Sequence, residues 1–397
     1  MNIAIPSDQQ TKARTATQLV FLVCGLGMAS WAPMVPFAKD RLGLDDADLG
    51  LLLLMLGAGA MVMMPTSGWL VSRLGSRTVI AGAALLMALT LPLLIILSSP
   101  VAMAVTLFLF GAGVGAIDVA MNAHGVQVQN LYGRPIMSSL HGLFSVGGLF
   151  GSLGLGFLVR LGLNPTYAIG SIAALMVLIV LTQYNKLFAA DTERQIMARF
   201  TETTDQPTAG RTRLGWLKGS VLFLGLMCFA VFLSEGAILD WSAIYLRDTK
   251  GMDPTLAGAG YAAFSVAMAI MRLIGDKLVA RLSGRAVVVG GSLLGAAGIA
   301  MAVLIPSVYG ALLGFVLLGL GVANIVPIFF SAAGRLPGVA PTISIPAITT
   351  IGYTGLLTGP ALLGFIAEQF SLSVALGFVS LLLVLVALSY QLNGQAN

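Results

Sequence analysis

From Thr78 to Ile117 the chain carries no Lys, Arg, Asp or Glu, and this run ends on a carboxylate, Asp118. The run is long enough for about two crossings of a hydrocarbon layer roughly 30 Å thick, each needing about 20 apolar residues. In such a layer the backbone must satisfy its own hydrogen bonds, so the stretch has to fold as helix. A carboxylate at that depth is costly, and by default it marks a cavity, a proton path or a substrate path. Asp118 is therefore the first candidate functional residue.

The rest of the chain has the same character: 57% of residues are hydrophobic and 9% charged, against about 25% charged in an ordinary soluble domain. Cutting the apolar runs at charges, Gly/Pro turns and Asp-rich caps predicts twelve helices, roughly 17–38, 46–72, 77–97, 100–129, 137–160, 166–187, 217–246, 254–280, 285–305, 307–333, 341–367 and 371–391. The expected fold is an all-α integral membrane protein with twelve transmembrane helices. Between the sixth and seventh, residues 189–215 crowd Asp191, Glu193, Arg194, Arg199, Arg211 and Arg213 around Pro207 and Gly210. That stretch reads as a linker between two halves, 1–188 and 216–397. The first helix reads as retained, because no small-residue cleavage site follows a short apolar core.

The net charge of +5 raises the question of nucleic acid, but no basic cluster interleaved with aromatics supports it. Of the 21 Lys and Arg, 15 fall in the N-terminal stretch and in alternate loops on one side, from Lys12 to Arg335. That bias assigns both termini and the linker to the cytoplasm. Cys24 and Cys228 lie inside predicted helices with no metal-ligand company, so neither a disulfide nor a metal site is expected.

From Lys39 to Arg160 the first half aligns on the second without a gap at a constant offset of 208, Leu70 falling on Leu278. Asp40 then meets Asp248, Gly43 meets Gly251 and Asp45 meets Asp253. The turn LVSRLGSRTV from Leu70 lands on LVARLSGRAV from Leu278, pairing Arg73 with Arg281 and Arg77 with Arg285. Gly111, Gly113 and Val114 meet Gly319, Gly321 and Val322. The halves therefore read as duplicated six-helix bundles in parallel orientation, an arrangement of transporters that alternate access around a midplane site.

Against this symmetry, departures carry the information. Asp118 aligns with Val326, Asn122 with Phe330, His141 with Thr349, Arg272 with Met64 and Glu235 with Gly27. Asn122 lies four residues from Asp118 and can hydrogen-bond its carboxyl in either protonation state. The pair reads as a proton or substrate site, or as a buried polar clamp. His141 heads a stripe with Ser145, Gly148 and Ser152. It reads as a proton relay to Asp118 or Asn122, a cytoplasmic gate, or a satisfied histidine. Glu235 is a second protonatable site or a structural partner. Arg272 forms a local bridge to Asp276 at i+4, or is a cavity cation. Asn324 and Tyr353 suit substrate hydrogen bonding, or hold helices together. His124, on the opposite face of its helix from Asp118, reads as structural or interfacial.

GAGVG at Gly111 lies within a membrane helix and lacks the strand–turn–helix context of a dinucleotide site. No phosphate-binding loop, metal cluster or nucleophile–base set appears in the sequence. No enzymatic activity and no cofactor are expected.

The turn GxLxxRxGxR (Gly68, Leu70, Arg73, Gly75, Arg77), the six-plus-six spans and the long central loop resemble the major facilitator superfamily (MFS) across the whole chain. Where that family's turn carries Asp, this chain has Ser72 and Ala280, and Asp276 just upstream is the substitute. MASWAPMVPF at Met28, SSLHGLFSVGG at Ser138 and SEGAILDWSAIYL at Ser234 resemble its YbjJ-like bacterial inner-membrane branch, distantly similar to fucose–proton symporters. The resemblance implies a monomeric secondary transporter of a small solute in the bacterial inner membrane. It further implies a cytoplasmic gate at Arg73, Arg77, Asp276, Arg281 and Arg285. Transport coupled to protons through Asp118 is expected, with an uncoupled facilitator or exchanger, or a membrane receptor, as alternatives.

Overall fold

A computed structural model describes residues 6–31, 34, 38, 41–44, 46–202, 218–252 and 259–393. Lys39, Asp40, Asp45, Asp253, linker residues 203–215, Arg211 and Arg213 included, and residues 216 and 217 lie outside the described residues. Among the described residues helix forms within every predicted span: α1 (Ser7–Trp31), α2 (Asp46–Leu74), α3 (Ser76–Ile96), α4 (Pro100–Tyr132), α5 (Met137–Arg160), α6 (Pro165–Gln183), α8 (Gly219–Ile244), α9 (Ala259–Leu282), α10 (Gly284–Leu304), the pair α11 (Val308–Val322) and α12 (Ile325–Ala333), α13 (Pro341–Gln369) and α14 (Leu372–Asn393). Among the described residues nine helices are long and apolar enough to cross a membrane. The chain is an all-α membrane protein.

Three elements differ from the sequence reading. α1 begins ten residues early, because the polar stretch Ser7–Arg14 continues the helix: Lys12 bridges Asp8 at 2.6 Å, Ala13 is buried and the Arg14 guanidinium lies 5.5 Å from the Tyr132 ring centroid. The linker contains a helix, α7 (Ala190–Glu202), whose Glu193 and Ile196 are buried while Asp191, Arg194 and Gln195 are exposed. The tenth span breaks at Ala323–Asn324. Pro327 has no N–H to return to Ala323 four residues earlier, and that carbonyl accepts from the Arg272 Nε at 3.0 Å instead.

The described chain forms two compact units. Unit 1 comprises 1–134, 143–216 and 334–347; unit 2 comprises 135–142, 217–333 and 348–397. In unit 1, α4 packs backbone to backbone on α2: a Cβ at Gly111 would strike the Leu56 carbonyl, and one at Gly59 the Phe108 carbonyl. In unit 2, Gly319 abuts the Phe264 carbonyl, which is the Gly111–Leu56 contact shifted by 208. Helix ends repeat too. Arg41 donates to the carbonyls of Leu94, Ile95 and Leu97 at the end of α3, and Lys250 donates to Ile305, the counterpart of Leu97, at the end of α10.

The residue before α3 is Gly75 (φ 81°, ψ 155°); its repeat counterpart before α10 is Ser283 (φ 72°, ψ 153°), the positive-φ residue other than glycine among those described. This backbone region is open almost exclusively to glycine and costs another residue about 1–3 kcal/mol. Ser283 recovers part of that through its Oγ, which accepts the N–H of Ala286 at 3.4 Å. A glycine at an N-cap loses only a few tenths of a kcal/mol relative to serine. Ser283→Gly is therefore expected to raise the thermal midpoint of the purified protein, with a gain of about 1 kcal/mol, whereas Gly75→Ser, whose Cβ would also meet Ala190, lowers it.

Candidate functional site

α4 is buried almost continuously from Phe110 to Gln129. Its glycines bring it onto α2, and the next residues along that stripe are Asp118, 7% exposed, and Asn122, fully buried. Asn122 Nδ2 donates to the Asp118 backbone carbonyl at 2.8 Å and to its Oδ1 at 3.3 Å. Among the described residues Asp118 has no ion-pair partner. Such a carboxylate, charged and desolvated, is answered only by an amide, which leaves it free to gain or lose a proton without breaking a salt bridge.

Unit 2 gathers the other candidates. Arg272 of α9, 6% exposed, reaches two ways: Nη2 donates to Glu235 Oε1 of α8 at 3.3 Å and Nε to the Ala323 carbonyl at the break between α11 and α12. Spacing allowed Arg272 a local bridge to Asp276 or a role as a cavity cation; the structure shows Glu235, distant in sequence, as an ion-pair partner. Asp276 meets another group, its two oxygens each 3.2 Å from the N–H of Ser139 near the start of α5. That places a carboxylate on a helix N-terminus, where exposed N–H groups and the helix dipole favour it.

Asn324, at the break itself, donates to the Met271 carbonyl at 3.3 Å, and its Oδ1 is buried without a partner among the described residues. This oxygen packs against Gly275, where any side chain would collide with it. His141 stacks on Phe330 at 5.8 Å and lies within electrostatic reach of Arg272. Tyr353 meets Phe232 edge-on at 5.4 Å. Glu235, Arg272, Asn324 and His141 are thus brought together in unit 2, while Asp118 and Asn122 belong to unit 1.

The gate candidates hold helix ends and rings. Arg73 lies over Trp69 at 5.4 Å and Arg77 over Tyr184 at 5.0 Å. Arg285 donates from Nε to Gln391 Oε1 at 3.3 Å and from Nη2 to the Gln391 carbonyl, and Arg281 is exposed. Two participants escaped the sequence reading. The Ala323 carbonyl could have been found from Pro327 four residues on. Glu193 sat among the charges of the linker, with no local sign of burial.

A family profile described as the Major Facilitator Superfamily matches residues 19–344. An uncharacterised MFS-type transporter of Yersinia pestis is 47% identical over 95% of this chain and 94% of its own length. The membrane protein MosC of Rhizobium meliloti is 33% identical over 94% and 88%. Among solved structures, the transporter FucP in its outward conformation matches with a TM-score of 0.76 over 97% of this chain and 99% of its own, and the proton:xylose symporter XylE with 0.78 over 97% and 95%. Both are 14% identical, a level at which the likeness speaks for the fold alone.

Removing one member of a buried ion pair leaves the other charge unanswered, at a cost of about 3 kcal/mol, while removing both costs less. Arg272→Gln and Glu235→Gln are each expected to lower the melting temperature of purified protein, with Arg272→Gln the worse because it also strands the Ala323 carbonyl. The double variant should melt above the sum of the two losses; strict additivity in that cycle would deny the pair.

Proposed function

Because the chain belongs to the Major Facilitator Superfamily, and so is a multi-pass membrane transporter, we propose that it moves a small solute across the bacterial inner membrane by alternating access, coupled to protons through Asp118. One observation carries this reading. Asp118 is a buried carboxyl with an amide beside it and, among the described residues, no ion-pair partner, in a helix whose repeat counterpart has Val326 and Phe330 at the corresponding places. The duplicated frame is apolar there by default, and this half departs from it.

Proton coupling requires the carboxyl to visit both protonation states during the cycle. Asn122 suits that requirement, since its amide can donate to the ionised group and accept from the neutral one. Glu235 is the second titratable candidate, with Arg272 balancing its charge. Asn122, Asn324 and Tyr353 supply neutral hydrogen-bonding groups for the solute. Asp276, on the N-terminus of α5, and the arginines of the two repeated turns form the cytoplasmic gate, with both termini on the cytoplasmic side. The halves 1–188 and 216–397, joined by the linker, are the moving bodies of a monomer. The names of FucP and XylE as fucose and xylose symporters make sugars the first solutes to try.

The test has two steps. A thermal-shift panel of sugars, nucleosides and organic acids identifies a stabilising solute, and that solute is followed into proteoliposomes with an imposed proton gradient. Wild-type protein should concentrate it in response to the gradient. Asp118→Asn should lose gradient-driven uptake by at least tenfold and keep counterflow. Full gradient-driven uptake by Asp118→Asn would end the proposal, and counterflow without any response to pH in the wild type would mark an uncoupled facilitator.

A further inference from the structure

The end of unit 1 that carries the turn between α2 and α3 is covered by the chain that leaves α6. His124 of α4, fully buried, accepts the backbone N–H of Phe188 at Nε2 (3.0 Å), and its Nδ1 lies 2.9 Å from Thr17 Oγ1 of α1. Because Nε2 accepts, the ring proton sits on Nδ1 and goes to Thr17, whose own hydroxyl donates to the Ala13 carbonyl at 2.7 Å. Leu187 and Phe188 are buried, and the Phe188 ring lies 5.1 Å from the imidazole.

Further along, α7 sets Ala190 close to Gly75 and turns Glu193, 2% exposed, onto the first turn of α3. Glu193 Oε2 accepts the N–H of Ser76 at 2.8 Å, and Arg194 Nη2 donates to the Arg73 carbonyl at 3.2 Å. α3 starts after Gly75 with no side-chain cap of its own, whereas its repeat counterpart α10 is capped by Ser283. Glu193 thus supplies from the linker the cap that the turn lacks. The cap is incomplete: Glu193 Oε1 and Ser76 Oγ are both buried without a partner among the described residues. Ionising the carboxyl there carries the cost of burial, which the N–H and hydroxyl of Ser76 and the nearby Arg77 offset only in part.

We propose that residues 187–202 form a pH-sensitive strap, in which neutral Glu193 holds α7 on the start of α3 and its ionisation loosens that hold, while His124 keeps the Phe188 end in place. The groups around Glu193 set the direction. Burial raises its carboxyl from 4.5 to about 7, offset in part by the N–H and hydroxyl of Ser76 and by Arg77, which lies over Tyr184. Arg194 faces Asp191 and the Arg73 carbonyl, Arg73 lies over Trp69, and Lys186 donates to Gln183. Both nitrogens of His124 are taken by Thr17 and Phe188.

A carboxyl raised in the docked state binds its proton more tightly when docked. The proton-linked part of docking is therefore fully present below 4.5 and is lost as pH rises through 7. Between pH 6 and pH 8.5 the docking equilibrium should weaken by about tenfold.

The inference rests on contacts within unit 1 and not on the transport reading. Amide hydrogen exchange of the full-length protein in lipid nanodiscs tests it, at pH 6 and pH 8.5, with rates corrected for intrinsic pH dependence. Wild-type amides of 191–197 should lose about tenfold in protection at the higher pH. Glu193→Gln, neutral throughout, should protect them equally at both, and Glu193→Ala should leave them weakly protected at both while α10 amides stay unchanged. Equal protection of the wild type at the two pH values, or the wild-type loss reproduced in Glu193→Gln, would overturn the strap.

Discussion

A charge at hydrocarbon depth has to be answered by a partner or surrendered to a proton, and this chain solves the problem in two different ways. Glu235 is answered by Arg272 at 3.3 Å, and the guanidinium is held in turn by the Ala323 carbonyl. A buried pair of this kind offsets much of its desolvation cost only because further hydrogen bonds satisfy the remaining groups. Asp118 is answered by the Asn122 amide, which has no charge to offer. A guanidinium serves only the anion, whereas an amide serves either protonation state. The two carboxyls therefore sit in different settings, Glu235 beside a buried cation and Asp118 beside a neutral amide.

The break in the tenth span follows from the same requirement. Pro327 removes one donor, and at membrane depth no water replaces it. The carbonyl it frees is what Arg272 binds, and Asn324 at the same break turns its amide to the Met271 carbonyl. A local backbone fault and a distant side-chain charge thus complete each other. This is the usual condition for irregular backbone at such depth, where it is tolerated when buried in protein.

Much of the architecture was legible because it is periodic and local. Runs of apolar residues, the 208-residue offset and the paired glycines each stand in the sequence, and the Gly111–Leu56 and Gly319–Phe264 contacts give the offset a physical form. What was not legible depends on which helices meet. Arg272 has an acid four residues away in Asp276, and only the packing of α8 on α9 shows why Glu235 bonds it. Asp276 accepts from Ser139, which belongs to the other half of the sequence. The linker looked like a polar connector because its charges are conspicuous; that Glu193 and Ile196, three apart on one helical face, are both buried appears only when α7 lies on α3.

Symmetry and its failures also explain why the linker has a structural part. Both repeats need a residue at positive φ before their third helix, and both need that helix capped. Serine at 283 provides the cap and accepts the backbone strain; glycine at 75 avoids the strain and forgoes the cap. The first repeat can make that choice because the chain that follows its sixth helix returns with Glu193. α4 ties this arrangement to the candidate site. His124 is six residues beyond Asp118, about 9 Å along the axis and on another face. One continuous helix therefore carries Asp118 on the glycine stripe packed toward α2 and grips the linker with another face, so any axial shift of α4 that moves the carboxyl also pulls on the N–H of Phe188.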